Sequence, residues 1–276
     1  MLKLGRHNLL RVVKETSIGV FLDGGSYGNI LLPKRYVPRD CQLDSWVKVF
    51  IYLDSEDRLI ATTATPMVKV GECASLKVVA VSRFGAFLDW GLPKDLLVPR
   101  REQAHLMQEG RSYVVYVYVD EKTETIVASS RLELFLNEFG GDFVPQQAVD
   151  LLIYERSEIG FKAVVDGTHL GLLYANEVFQ PLSVGQQVQG YIKGIRPDRR
   201  IDLALQLPNT VVQDTLAQRI LDHLQANGGS SAFSDKSAPE AIYREFHVSK
   251  AHFKRALGQL YKQQLIVLEK TGIRLP

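Results

Sequence analysis

This chain of 276 residues is short of the features that usually betray chemistry. It has two cysteines, Cys41 and Cys73, far apart in sequence. That argues against a disulfide framework and fits a reducing cytoplasm. No apolar run approaches the ~18 residues of a membrane-spanning helix, so no membrane partner is expected. The N-terminus shows no basic, apolar and small-residue secretory pattern. His7, His105, His169, His223, His247 and His252 are scattered without metal-ligand spacing. A phosphate-cradling Gly-Lys loop is missing. No metal, no cofactor and no catalytic residues are expected, and the chain does not read as an enzyme.

Charge of one sign is also scarce, with a formal balance of +2. Its distribution is less bland. Residues 137–208 carry six basic and nine acidic side chains, whereas 209–276 carry nine basic and six acidic. From Arg244 onward seven basic residues face two acidic ones. A polyanion would be drawn most strongly to that end.

What is present is a phrase written three times. Ile18-Gly19-Val20-Phe21-Leu22-Asp23, Phe84-Gly85-Ala86-Phe87-Leu88-Asp89 and Ile159-Gly160-Phe161-Lys162-Ala163 are each followed by a short apolar run. Those runs are Ile30-Leu31-Leu32, Leu96-Leu97-Val98 and Leu172-Leu173-Tyr174. From Asp23 to Asp54 and from Asp89 to Asp120 is 31 residues, and from Asp166 to Asp198 is 32. A repeat fixes the architecture before anything else is read. Within each copy, five short runs rich in Val, Ile, Tyr and Phe alternate with Gly and Asp turns, the pattern of a small closed barrel. In the second copy they are Ala74–Val81, Ala86–Trp90, Leu96–Val98, Tyr113–Val119 and Thr125–Ala128. The best helical stretch inside the copies is Glu102–Met107. The recurring Asp23, Asp89, Asp54 and Asp120 are expected to shape turns.

After Leu207-Pro208 the period becomes helical. Leu216, Ile220, Leu221 and Leu224 form a stripe that stops at Asn227-Gly228-Gly229. Gly228–Ser237 reads as a loop, Pro239–Phe246 as a second helix, and Ser249 caps a third through Gln264. Leu265–Leu268 and Ile273–Leu275 make a hairpin about Lys270-Thr271-Gly272, which completes a winged helix. The fold expected is mainly β with a C-terminal α/β part: three tandem five-stranded OB-fold barrels (1–67, 68–140 and 146–207) and a winged helix (209–276).

The repeated phrase resembles the RNA-binding repeat named after ribosomal protein S-one, whose barrels are OB-folds. That pattern carries an aromatic before a Gly and another two residues after it, then a Gly-Leu-Val-His phrase and a hairpin with Asp and a basic residue. The second copy keeps Phe84, Phe87 and Asp120, with Val98 at the His position before Pro99-Arg100-Arg101. The first keeps Phe21, Asp54 and Arg58, with Ile18 and Leu32-Pro33 as departures. The third keeps Tyr174, Asp198 and Arg200, with Ile159 and Lys162 at the aromatic positions. An exposed ring stacks on a base for about 1–3 kcal/mol, and nearby cations follow the phosphates. Phe84 and Phe87 sit three apart, so on one regular strand they face oppositely unless Gly85 opens a bulge. Arg83, Arg100, Arg101 and Arg131 frame that surface, and Lys193, Arg196, Arg199 and Arg200 gather at a hairpin of the third copy.

On the third C-terminal helix Phe253, Ala256, Leu257 and Leu260 face a core. Ala251, Arg255, Gly258 and Lys262 then form a smooth basic ridge flanked by Lys250 and Lys254. That ridge suits a nucleic-acid groove or backbone, or else a protein or neighbouring barrel.

Three such barrels and a winged helix together resemble the bacterial conserved virulence factor B family. Val49-Phe50-Ile51-Tyr52-Leu53-Asp54-Ser55, Lys94-Asp95-Leu96-Leu97-Val98-Pro99, Tyr191-Ile192-Lys193-Gly194-Ile195-Arg196 and Phe253-Lys254-Arg255-Ala256-Leu257-Gly258 carry the likeness. The resemblance implies a cytoplasmic RNA-binding regulator of gene expression, expected as a monomer binding unstructured single-stranded RNA. Two alternatives stay open: a DNA-binding regulator that uses the winged helix, and a scaffold on the ribosome or polymerase.

Overall fold

A computed structural model describes residues 2–178, 181–206, 209–246, 248–269 and 272–276, without the side chains of 209–215. The expected boundary at Leu207-Pro208 and the turn at Lys270-Thr271 fall outside these residues. The chain divides into two compact units, Met1–Leu205 and Gln206–Pro276.

The first unit holds the three expected barrels. The first is built from β1 (His7–Thr16), β2 (Gly19–Asp23), β3 (Asn29–Pro33), β4 (Trp46–Leu53) and β5 (Leu59–Thr62). Its strands close in the order β1-β2-β3-β5-β4. The second repeats that order with β6 (Cys73–Val81), β7 (Gly85–Asp89), β8 (Leu96–Pro99), β9 (Ser112–Asp120) and β10 (Thr125–Ser129). The third does so with β11 (Ala148–Arg156), β12 (Gly160–Val165), β13 (His169–Tyr174), β14 (Gln187–Ile195) and β15 (Ile201–Ala204). In each, strands three and five run parallel and seal the cylinder, as at Leu31 with Ile60, Leu97 with Val127 and Gly171 with Ile201.

Period-two patterning fills the interiors. Val12, Val20, Leu22, Ile30, Leu32, Val49, Ile51 and Ala61 are buried in the first barrel, and their equivalents fill the others. Each first strand carries a β-bulge at the same place: between Val12 and Lys14, Val78 and Ala80, and Ile153 and Glu155. A bulge sharpens the bend that a five-stranded barrel needs. The stretch expected to be helical at Glu102–Met107 is not. Only Arg100–Glu102 makes a single 3-10 turn. The Gln103 side chain then holds the following chain, donating to the Val98 carbonyl at 3.1 Å and accepting from Met107 N–H at 3.0 Å.

The barrels are fused to one another. Phe50 and Tyr52 of β4 join the core of the second barrel, with Phe50 edge-on to Trp90 at 5.9 Å. Lys94 Nζ donates across the same junction to the Asp54 carbonyl at 2.8 Å and to Asp57 Oδ1 at 2.7 Å. Tyr116 of β9 occupies the register of Phe50: each opposes the first residue of its barrel, Cys73 and His7. It too faces the next junction, stacked on Phe135 at 4.8 Å beside Val114, Leu132, Leu136, Leu152, Val164 and Leu170.

The second unit is the expected winged helix, with α1 (Asn209–Ala226), β16 (Ser230–Ser231), α2 (Pro239–Phe246), α3 (Lys250–Lys262), β17 (Val267–Glu269) and β18 (Gly272–Arg274). Gly228 at φ +71° and the Gly229 N–H bond to the Leu224 carbonyl at 2.7 Å close α1. Ser249 caps α3, accepting from His252 N–H at 3.3 Å. Two expectations are corrected. α3 ends at Lys262 rather than Gln264, and the segment expected as loop contains β16, which pairs with β18. Two residues are too few to show an alternation, so β16 exists only through its partner.

Candidate nucleic-acid interface

The repeated Gly marks where each hairpin tip meets its second strand. The tip is held by a hydroxyl three residues earlier: Thr16, Ser82 and Ser157 each donate to the carbonyl of Gly19, Gly85 or Gly160. The residue between, Ile18, Phe84 or Ile159, is forced outward at 59%, 62% and 59% exposure. Its carbonyl accepts from Lys34, Arg100 or Ala175 N–H at 2.9, 3.0 and 3.0 Å, so each tip is pinned to the end of the third strand. A methyl group on any of the three glycines would collide with the carbonyl oxygen of Leu32, Val98 or Leu173.

This geometry removes the parity conflict between Phe84 and Phe87. Phe84 belongs to the turn, not to β7, so it does not alternate with Phe87. In β7, Ala86 and Leu88 point inward and Phe87 outward, half-buried. Gly85 opens no bulge; the irregularity lies in β6 between Val78 and Ala80, opposite Leu88 and Phe87. Phe21 and Lys162 hold the register of Phe87, opposite Lys14 and Glu155 where Phe87 faces Ala80. None of Phe21, Phe87 or Tyr174 is sealed inside a barrel.

The second barrel's surface is the most complete. Arg83 lies over the Phe84 ring at 4.7 Å. Arg100 is exposed and, among the described residues, makes no ion pair. Arg101 is committed to Asp120 at 2.9 Å and Glu102 at 3.4 Å. In the first barrel Arg58 is likewise tied to Asp54 at 2.8 Å and Glu56 at 2.9 Å. These aspartates also build their turns, as expected. Asp54 Oδ1 accepts from Glu56 and Arg58 N–H, and Asp120 Oδ1 from Lys122 and Thr123 N–H. Hydrogen bonds, led by that from Lys122 N–H, hold the Asp120 carboxyl below its usual range. Burial pushes Asp54 upward, but its bonds from Arg58 and Glu56 outweigh that.

The third barrel's cations divide. Lys193 lies 5.5 Å from the centre of the half-buried Tyr174 ring and pairs with Glu177, whose hydrogen bond raises the lysine's pKa. Lys162, Arg196 and Arg200 instead line a cavity of about 530 Å³ with Tyr154, Glu155 and Leu172. Each has an acidic partner: Glu155 at 2.9 Å, Asp198 at 3.0 Å and Glu138 at 3.2 Å. Tyr154 is pushed above its ordinary pKa by burial and then by Glu155, Glu133 and Glu138.

In the second unit Phe253, Ala256, Leu257 and Leu260 are buried. Ala251, Lys254, Arg255, Gly258 and Lys262 are exposed and Lys250 half-exposed, so the ridge is real. Lys254 approaches Asp235 at 4.0 Å.

Sequence reasoning missed Lys34, Arg35 and Tyr36. Pro33-Lys34-Arg35 stands where Pro99-Arg100-Arg101 stands in the second barrel, and Arg35 lies over the Tyr36 ring at 4.7 Å. The shared Pro-basic-basic spelling was the available signal. The third barrel breaks it with Tyr174-Ala175-Asn176.

Residues 4–64 and 70–129 match the S1 domain, and residues 218–275 match the CvfB-like winged helix domain. The chain is therefore a tandem S1-domain protein with a CvfB-like winged helix, modules that point to nucleic acid binding. Over nearly its whole length it is similar to Conserved virulence factor B of Staphylococcus aureus strain N315, at 27% identity across 99% of this chain and 94% of that protein. The Bacillus subtilis protein YitL is 28% identical across 96% and 91%. A crystal structure described as a multidomain protein with nucleic acid binding domains, from Streptococcus pneumoniae, aligns over 99% of this chain and 98% of its own, at 25% identity and a TM-score of 0.43.

Proposed function

We propose that this chain binds unstructured single-stranded RNA and regulates gene expression post-transcriptionally in the cytoplasm, acting by binding and not by catalysis. One observation carries the reading. The second barrel offers Phe84 and Phe87 outward beside Arg83 and Arg100, two rings for bases and two cations for phosphates. The first barrel offers Phe21 with Lys34 and Arg35 in the matching places, and the two are fused into one compact unit. Two weak faces held in fixed relation bind one strand more tightly than either alone. The ridge of Arg255 and Lys262 adds a further cationic surface.

Fluorescence anisotropy of labelled oligouridine tests this. Affinity falls steeply as salt rises, since each neutralised phosphate contributes about 0.7 to the logarithmic slope on a single strand. Phe84→Ala weakens binding about tenfold, and Arg100→Glu also lowers the salt slope. Equal affinity of both variants and the parent would refute the reading.

A second reading rests on α3. Its exposed small-and-basic ridge also suits duplex DNA, which makes a DNA-binding regulator the alternative. Duplex DNA outcompeting oligouridine, with Arg255→Glu abolishing that advantage, would favour it. Capture of ribosome or polymerase that survives nuclease treatment would favour a scaffold.

A further inference from the structure

Trp46 opens β4 with 65% of its surface exposed, more than Phe84, and lies off the β2–β3 face described above. The chain's other tryptophan, Trp90, is 3% exposed at the junction of the first two barrels. Directly across from Trp46 on β1 stands Arg11, and two residues along β4 stands Lys48, opposite Leu9. Arg11 and Lys48 are exposed. The Arg11 guanidinium approaches Asp44 at 3.6 Å and Asp23 at 4.0 Å, ion pairs too long for hydrogen bonds. Among the described residues its donors make no hydrogen bond, and no carboxylate pairs with Lys48.

The arrangement belongs to the first barrel alone. At the register of Trp46 the second and third barrels carry Ser112 and Gln187, and at that of Leu9 they carry Ser75 and Asp150. It is also continuous with the candidate interface. β1 runs between β2 and β4, with Lys14 opposite Phe21 on one side and Arg11 opposite Trp46 on the other. The outward row is thus Phe21, Lys14, Arg11, Trp46. Its two ring-bearing strands lie two strand spacings apart, about 10 Å.

We propose that Trp46 is a base-stacking site of the first barrel, reached by a single strand that leaves Phe21, crosses β1 over Lys14 and Arg11, and places a phosphate near Lys48. The inference rests on the single-stranded reading above. A protein-docking face would be a contiguous apolar patch. Here Leu9 and Trp46 are interleaved with two cations on adjacent strands, the alternation of flat ring and positive charge that a nucleic acid strand meets.

Intrinsic fluorescence tests it on the intact chain. Saturating oligouridine quenches tryptophan emission in the parent. Trp46→Phe, which leaves only buried Trp90, removes the quenching. Trp46→Thr keeps the parent's melting temperature, because the side chain is exposed, and weakens binding about tenfold. Lys48→Glu weakens it and lowers the salt slope. Unchanged emission at saturation, together with parental affinity for Trp46→Thr, overturns the Trp46 site while leaving the Phe84 reading intact. Failure of the parent to bind oligouridine overturns both.

Discussion

At the scale of single residues, what matters is how few cations are free. Arg58, Arg101, Lys162, Lys193, Arg196 and Arg200 read as phosphate contacts from sequence, yet each is paired with a carboxylate. The solvent-exposed pairs of Lys162, Lys193 and Arg200 are worth little in stability, so a phosphate can compete for them at small cost. Arg100 starts without that competition. Asp120 is held in its ionised form in the folded state, so its contribution is present above the usual carboxylate range and is lost as pH falls through its lowered value. Asp120→Asn is therefore expected to melt below the parent at pH 7. The gap between the two melting curves should close only as pH falls through that lowered value and Asp120 is neutralised; a constant gap would contradict the assignment.

At the scale of elements, the hairpin tip is the unit that makes a face. A hydroxyl, an outward apolar residue and a glycine too crowded for any side chain are fixed by local bonds and repeat in all three barrels. Gly85→Ala forces a Cβ against the Val98 carbonyl and is expected to cost about 3 kcal/mol, within the range of large single-site effects. Thermal unfolding checks it, and a change under about 0.5 kcal/mol would show that the tip relaxes. The α3 stripe shows the same economy. Its buried and exposed sides follow the 3.6-residue period, so the ridge was readable from spacing.

At the scale of the whole molecule, the three barrels act as one body because the fourth strand of each of the first two feeds an aromatic residue into the next junction, Phe50 against Trp90 and Tyr116 against Phe135. Trp90→Ala would empty the first junction and is expected to cost about 3–5 kcal/mol. Because Phe50 and Tyr52 share that core, calorimetry should show the first two barrels losing stability together. A shift confined to the second barrel would mean that they fold separately.

The architecture was legible because barrels and winged helix are both written in local code: a period of two between turn residues, then a period of 3.6 with caps. Strand limits follow the apolar runs to within a few residues, and Phe87, Phe21 and the α3 ridge stand outward as their spacing requires. Partnership was not legible. No local pattern tells that Arg101 turns to Asp120 or that β16 exists at all. The fates of two aromatics were equally hidden, since Trp90 and Trp46 each follow an ordinary strand pattern. One is buried because a second barrel closes over it, and the other lies bare because none does. Burial depends on what arrives from elsewhere in the chain, and only the assembled unit decides that.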